Sequence, residues 1–179
     1  MTAELSRLFL ALWPGATVRG DLAAVQQRLP SDIGRAVRAD NFHLTLVFLG
    51  ATPISRRWCI ERAVSEVRTG GFELRLDRLG HWRKPEVLWI GGPAPAPLAA
   101  LVRALQSIVL DCDGKADDRS FEVHLTLFRK VRRAPRPMPA VPPIRWQVES
   151  FVLVESLADP AGAQYAVLRE WPLGNSTSL

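Results

Sequence analysis

The chain has 179 residues, of which 47% are hydrophobic and 23% charged, the balance of a folded globular protein rather than of a disordered segment. No stretch reaches the ~18 apolar residues that a membrane span needs, and the start lacks the pattern of a secretory signal. The net charge of +5 and the pI near 10.0 favour an anionic partner such as RNA, although ordinary basic enzymes share this balance.

Hydrophobic spacing predicts alternating strands and helices in the first half. The predicted elements are a strand over 8–13, a helix over 18–29, a strand over 43–49, a helix over 55–67, and strands over 72–76 and 87–90. Helical repeats of three and four, and the period of two in strands, separate the two types. The polar stretch from His81 to Glu86 is typical of a connection between strands.

The second half repeats this order. A helix over 98–109 is followed by a polar loop over 111–120, a strand over 121–128, a basic and proline-rich loop over 129–143, and strands over 145–155 and 164–171. Asp159, Pro160 and Gly162 indicate the turn between the last two strands, and fraying is expected over 174–179. Each half thus offers a helix, a strand with a shared motif and two further strands, which predicts an internal duplication.

The shared motif is His-Leu-Thr-Leu, which occurs at 43–46 and at 124–127 and uses two of the three histidines of the chain. Alternate residues of a strand lie on one face, so each copy presents a histidine beside a threonine and turns its leucines to the core. A single copy is well explained by packing. Two identical copies indicate function, because packing alone does not select the same polar pair twice.

Two histidines from two similar strands suit displacement at phosphorus. Near neutral pH one imidazole can take a proton from water while the other gives one to the leaving oxygen, without a metal or cofactor. The hydroxyls of Thr45 and Thr126 can donate to the phosphate oxygens, and Arg129 can add a charge-assisted pair. A zinc site is the main alternative. However, each motif pairs its histidine with threonine rather than with a second zinc ligand, and the sequence has no His-Glu-x-x-His motif.

The residues resemble the two-histidine phosphoesterases and, within them, the RNA 2′,3′-cyclic phosphodiesterases formerly called 2′-5′ RNA ligases. The resemblance covers nearly the whole chain. It is carried by Arg-Leu-Phe-Leu-Ala-Leu at 7–12, Asp-Asn-Phe-His-Leu-Thr-Leu-Val-Phe-Leu-Gly at 40–50, His-Leu-Thr-Leu-Phe-Arg at 124–129, and the closing Tyr165, Leu168 and Trp-Pro-Leu at 171–173. Val123 is a departure, since family members often place proline before the second histidine.

The resemblance implies an α+β fold of two pseudo-symmetric lobes, each an antiparallel β-sheet with outer helices, around a central cleft lined by the two motif strands. It also implies hydrolysis of RNA 2′,3′-cyclic phosphate ends to 2′-phosphomonoesters, with His43 as proton donor and His124 as proton acceptor. Thr45, Thr126 and Arg129 would bind the phosphate. Nothing in the spacing distinguishes the two histidines, so the reverse assignment stays open.

Two other readings remain open. The same site could act on a small cyclic nucleotide or a 2′-5′ linkage, and a non-catalytic single-strand RNA-binding module would explain the charge but not the paired histidines.

The basic run at 129–133 could follow an RNA backbone, Phe48 is a candidate for base stacking, and His81 is expected at a loop or cleft rim.

The length predicts one bilobal domain over 1–179, for which monomer is the default state, with no obligate protein partner. Cys59 and Cys112 lack Cys-x-x-Cys spacing and are too few for a disulfide framework, which favours a reducing cytoplasm.

Overall fold

The computed structural model describes residues 5–115, 120–157 and 163–174, which form ten strands and three α-helices. The strands are β1 Leu5–Leu12, β2 Arg35–Ala36, β3 Leu44–Pro53, β4 Phe72–Leu76, β5 Arg78–Trp82, β6 Val87–Gly91, β7 His124–Arg129, β8 Ile144–Val148, β9 Ser150–Leu157 and β10 Gln164–Pro172. The helices are α1 Ala16–Gln27, α2 Ile54–Val64 and α3 Ala96–Asp111. Outside the described residues lie the predicted turn at Asp159, Pro160 and Gly162, the tail over 175–179, and part of the polar loop, 116–119.

Two four-stranded antiparallel sheets carry the two motifs. The first lobe has the strand order β10-β9-β1-β3, with the first motif on its edge strand, and the second lobe has the order β2-β7-β6-β5. Strands β4 and β8 pair separately. Helices α2 and α3 pack on β3, and α1 packs on β8. The predicted α+β class, with two lobes of antiparallel sheet and outer helices, is confirmed.

The lobes do not follow the halves of the chain, although each half contributes one motif strand to its own lobe. The first lobe joins β1 and β3 with the last two strands, and the second joins β5 and β6 with β7. The reason is hydrogen bonding: β1 pairs with β3 along one edge and needs a partner on the other, which β9 supplies.

Strand β1 is buried on both faces of its sheet from Leu8 to Leu12. Its alternate residues therefore belong to two separate apolar clusters, one on each face. Leu8, Leu10 and Leu12 join the main core, whereas Phe9 and Ala11 form a small cluster with Val152 and Val154 of β9. Partly buried Trp13 and Tyr165 pack on that cluster. This alternation gives the first lobe an aromatic surface opposite its core.

The three predicted helices are confirmed. Helix α3 buries all five apolar positions of its helical repeat, Leu98, Leu101, Val102, Leu105 and Val109. Helix α2 is tied to β10 through Glu61, whose carboxylate accepts from Arg57 at 2.6 Å and Arg169 at 3.0 Å. No helix within the described ranges has the length and apolar character needed to cross a membrane.

Three strand predictions are corrected. The segment 145–155 is not one strand: β8 and β9 are separated at Glu149 and belong to different sheets. His81 lies in strand β5 rather than in a connection, and β7 begins at His124 rather than at Phe121. The short edge strand β2 was not predicted, because two residues carry no readable period.

Cys59 of α2 and Cys112, the residue that caps α3, form a disulfide with their Cα atoms 5.9 Å apart. The expectation of reduced cysteines is therefore wrong in this structure. The sequence separation of 53 residues gave no sign of the pairing, which results from the packing of α2 against α3.

Candidate active site

The two motif strands belong to different sheets but contact each other, so the lobes meet along them. Strand β3 pairs with β1, and β7 is held between β2 and β6. Both copies of the motif are therefore placed at the junction of the lobes, as the sequence predicts.

A register shift follows the threonine of each motif. In β3, Thr45 pairs with Ala11 and Val47 with Leu10, which leaves Leu46 as the extra residue. In β7, Thr126 pairs with Trp89 and Phe128 with Leu88, which leaves Leu127 as the extra residue. Such a β-bulge interrupts the strict alternation of faces.

The consequence of the shift is seen in burial. Two consecutive residues after each threonine enter the main core, and the third is exposed: Phe48 in the first motif and Arg129 in the second. Arg129 thus returns to the face of His124 and Thr126 despite an odd spacing. Phe48 occupies the equivalent position in the other lobe, which makes the motifs alike in structure as well as in sequence.

Each catalytic candidate is anchored by the same local hydrogen bond. Nδ1 of His43 lies 2.7 Å from the carbonyl oxygen of Asn41, and Nδ1 of His124 lies 2.9 Å from that of Glu122. A carbonyl only accepts, so in both rings Nδ1 carries the hydrogen and donates. In a neutral ring with its hydrogen on Nδ1, Nε2 is the nitrogen that can take up a proton.

The surroundings of the two rings differ. His43 stacks on Trp13 at 5.5 Å between centroids, lies 5.0 Å from Phe9, and meets Tyr165 edge-on at 4.9 Å. His124 meets Trp82 edge-on, with 4.6 Å between the ring centroids. The aromatic layer of the first lobe thus encloses His43 on several sides.

This enclosure lowers the pKa of His43 from 6.5 to about 4. Burial, which penalises the charged ring, is the largest cause, and the positive charges of Arg129 and His124 act in the same direction. The hydrogen bond to the carbonyl of Asn41 partly opposes them. Near neutral pH the ring is therefore uncharged.

The cleft has a volume of about 580 Å³. It is lined by Arg35, Ala36, Val37, Arg38, Asp40, Asn41, His43, Thr126, Arg129, Ala163, Gln164 and Tyr165. Of the residues predicted from the sequence, His43, Thr126 and Arg129 border this space directly. The lining does not include Thr45, His124 or Phe48. Thr45 is buried, with 9% exposure, and His124 is half-buried two residues before Thr126.

Several contributors were not predicted. Trp13, Trp82 and Tyr165 surround the imidazoles, and Arg35 and Arg38 add charge to the cleft. The tryptophans and tyrosine could not be singled out because aromatic residues mostly fill cores. Arg35 lies in β2, which is too short to recognise from the sequence, and Arg38 follows two residues after that strand.

His81 contacts the basic run at 129–133. Its Nε2 lies 2.8 Å from the carbonyl oxygen of Val131, and the amide of Val131 donates to the carbonyl of Glu86 at 2.9 Å. Val131 is fully buried, so the segment just after Arg129 is fixed to the second lobe. In the described part of the chain, no three His, Cys, Asp or Glu side chains are grouped to hold a metal ion.

Two lobes joined along paired His-x-Thr strands, with both histidines anchored through Nδ1, define the class of two-histidine phosphoesterases. The sequence model of the 2′-5′ RNA ligase superfamily matches residues 9–160, and the chain therefore belongs to that family.

Individual relatives agree with this assignment. The RNA 2′,3′-cyclic phosphodiesterase of Escherichia coli (strain K12) is 31% identical over 175 residues, which cover 96% of this chain and 98% of that protein. A protein of the same name from Archaeoglobus fulgidus is 28% identical, with 91% and 98% covered. The crystal structure of E. coli LigT complexed with 3′-AMP has a TM-score of 0.87 at 30% identity, covering 95% of this chain and 99% of that one.

Proposed function

We propose that this protein hydrolyses RNA 2′,3′-cyclic phosphate ends to 2′-phosphomonoesters, without a metal or other cofactor. The observation that carries the proposal is the pair of histidines, each with Nδ1 bound to a backbone carbonyl, on two strands that meet at one cleft. The names of the relatives supply the substrate class, RNA with a cyclic phosphate end.

In the proposed reaction His124 takes a proton from the attacking water, and His43 protonates the leaving 3′ oxygen. The hydroxyls of Thr45 and Thr126 and the guanidinium of Arg129 bind the non-bridging oxygens, where negative charge is concentrated. The bulge after Thr126 supports this role for Arg129, because it turns that side chain toward the cleft. The roles of donor and acceptor follow the family resemblance.

The low pKa of His43 sets a condition on its role as donor. A ring with a pKa of about 4 is rarely protonated at neutral pH, so the substrate must help to charge it. A bound phosphodiester carries a negative charge, which favours the imidazolium and offsets the repulsion from Arg129. We therefore expect the pKa of His43 to be higher in the substrate complex than in the empty protein.

The aromatic layer beside His43 suits the nucleoside at the end of the RNA. Phe48 is 53% exposed and lies 6.3 Å from Phe9, which in turn packs on His43. Its place is equivalent to that of Arg129 in the other lobe, so we propose that it stacks on a base. The basic run at 129–133 is proposed to contact the RNA backbone.

The test uses a short RNA that ends in a 2′,3′-cyclic phosphate, chelator-treated protein, and separation of 2′- from 3′-phosphate products. We expect conversion to the 2′-phosphate, and we expect His124→Ala to abolish it while retaining RNA binding. Lack of turnover with RNA but hydrolysis of a small cyclic nucleotide or a 2′-5′ linkage would favour the second substrate class. Binding without any turnover would indicate an RNA-binding module.

We propose further that residues 1–179 act as one bilobal domain and as a monomer, with no obligate protein partner, in the cytoplasm. The disulfide between Cys59 and Cys112 weighs against that location, since cytoplasmic thiols are kept reduced. A thiol titration in denaturant, on protein purified without reductant, tests it because Cys112 is buried in the folded chain: two reactive thiols support the cytoplasm, and none contradicts it.

A further inference from the structure

Arg35 and Arg129 lie directly opposite each other in the antiparallel pair of β2 and β7. Opposed residues of such a pair share a face, and like charges in this position destabilise a sheet. Both side chains border the cleft, and within the described residues Arg35 forms no ion pair. Two facing cations at the wall of a cleft favour an anion there.

The segment that carries Arg35 is held firmly against β7. The side-chain amide of Gln26 donates to the carbonyl oxygens of Val37 at 2.9 Å and Leu127 at 2.8 Å, and the amide of Val37 donates to Leu127 at 2.9 Å. Gly34 packs so closely on the backbone oxygen of Arg129 that an added Cβ would lie 2.6 Å from it. Arg35 is therefore fixed in position relative to Arg129.

Arg38 adds a second cation farther along the same wall. Its guanidinium lies 3.9 Å from the carboxylate of Asp40, which also lies 3.7 Å from Arg19. The single carboxylate is thus shared by two arginines, and the group keeps one net positive charge. Arg35, Arg38 and His43 all line the same cleft.

We propose that Arg35 and Arg38 form a second phosphate subsite, which binds the 5′ phosphate of the terminal nucleotide. The inference rests on the proposed function for the identity of that nucleotide. With the cyclic phosphate held at Thr126 and Arg129, the 5′ phosphate is the next anion along the RNA. The subsite makes the protein prefer RNA ends and 5′-phosphorylated nucleotides over nucleosides that carry the cyclic phosphate alone.

The test compares the binding of adenosine 3′-monophosphate and adenosine 3′,5′-bisphosphate, which differ in the 5′ phosphate, by calorimetry at low salt. We expect the bisphosphate to bind about tenfold more tightly, as one charge-assisted pair provides. In Arg35→Ala the ratio of the two affinities should approach one, and in Arg35→Lys part of it should remain, because the charge stays but the fork is lost. Arg103→Ala, which removes an exposed arginine of α3 outside the cleft, should leave the ratio unchanged.

Two results would overturn the subsite. A ratio near one in the unaltered protein means that no second phosphate is bound. If Arg35→Ala lowers the affinity for both ligands equally, Arg35 either contacts the reacting phosphate or only protects the edge strand from pairing with another chain, as charged edge residues often do. Binding is read without turnover, so a protein that prefers the bisphosphate but leaves cyclic RNA intact would retain the subsite and lose the proposed function.

Discussion

The pKa of His43 predicts a specific dependence of stability on pH. The folded protein holds this ring neutral down to about pH 4, whereas the ring of the unfolded chain titrates near its ordinary pKa of about 6.5. Between these values the unfolded chain binds more protons, so the free energy of unfolding must fall as the pH is lowered. The stabilisation is fully present above pH 6.5 and is lost by about pH 4.

The size of the effect follows from the two pKa values. Lowering the pH from 7 to 5 should remove about 2 kcal/mol of stability through His43 alone. Other groups also titrate in this range, so the reference is His43→Gln, whose side chain stays neutral throughout. The assay is urea denaturation of both proteins at the two pH values. The unaltered protein should lose about 2 kcal/mol more than the variant.

Equal losses in the two proteins would refute the reasoning, because His43 would then titrate alike in the folded and unfolded states. Titration of histidine ring signals by NMR gives an independent reading. One histidine signal should keep its neutral position down to about pH 5, and that signal should be missing in His43→Gln. Arg129→Met should raise the pKa of His43, since the guanidinium is one of the causes that lower it.

Two further predictions concern parts of the fold that support the site. Replacement of both Cys59 and Cys112 by serine should lower the free energy of unfolding by up to about 4 kcal/mol, because the disulfide restricts a loop of this length in the unfolded chain. Reductant should destabilise the unaltered protein but not the variant. Equal urea midpoints of the two proteins would contradict this. Gly91 pairs with His124, and a Cβ there would lie 2.1 Å from the carbonyl oxygen of Val123, so Gly91→Ala should cost about 1–3 kcal/mol of stability and reduce turnover. As a control, Gly20→Ala on α1 adds its methyl group to open space and should stabilise the helix by up to about 1 kcal/mol. Similar turnover in the two glycine variants would contradict the expected clash between a Cβ at Gly91 and the carbonyl oxygen of Val123.

The sequence predicts the candidate residues of the site better than the backbone geometry that positions them. Repetition of one polar tetrapeptide marks both histidines and both threonines as candidates for the site, because buried packing does not select such pairs. The bulges after Thr45 and Thr126 are invisible in the sequence, since the leucine, valine and phenylalanine that follow suit either register. Their effect, which brings Arg129 to the cleft face, therefore needs the structure.

Long-range pairing explains the remaining differences. The hydrophobic pattern locates β9 and β10 but does not say that they complete the sheet of β1 rather than a lobe of their own. The same limit applies to Tyr165, which reaches His43 only because β10 joins the first lobe. The disulfide likewise depends on which helices pack together.

The most direct measurement for the two-histidine mechanism compares His43→Ala and His124→Ala on two substrates. One is the cyclic phosphate, and the other carries sulfur in place of the leaving 3′ oxygen, which departs without being protonated. We expect both variants to be inactive on the oxygen substrate, and sulfur to restore turnover to His43→Ala but not to His124→Ala. Restoration of His124→Ala instead would reverse the roles of donor and acceptor, and full activity of either variant on the oxygen substrate would contradict the mechanism itself.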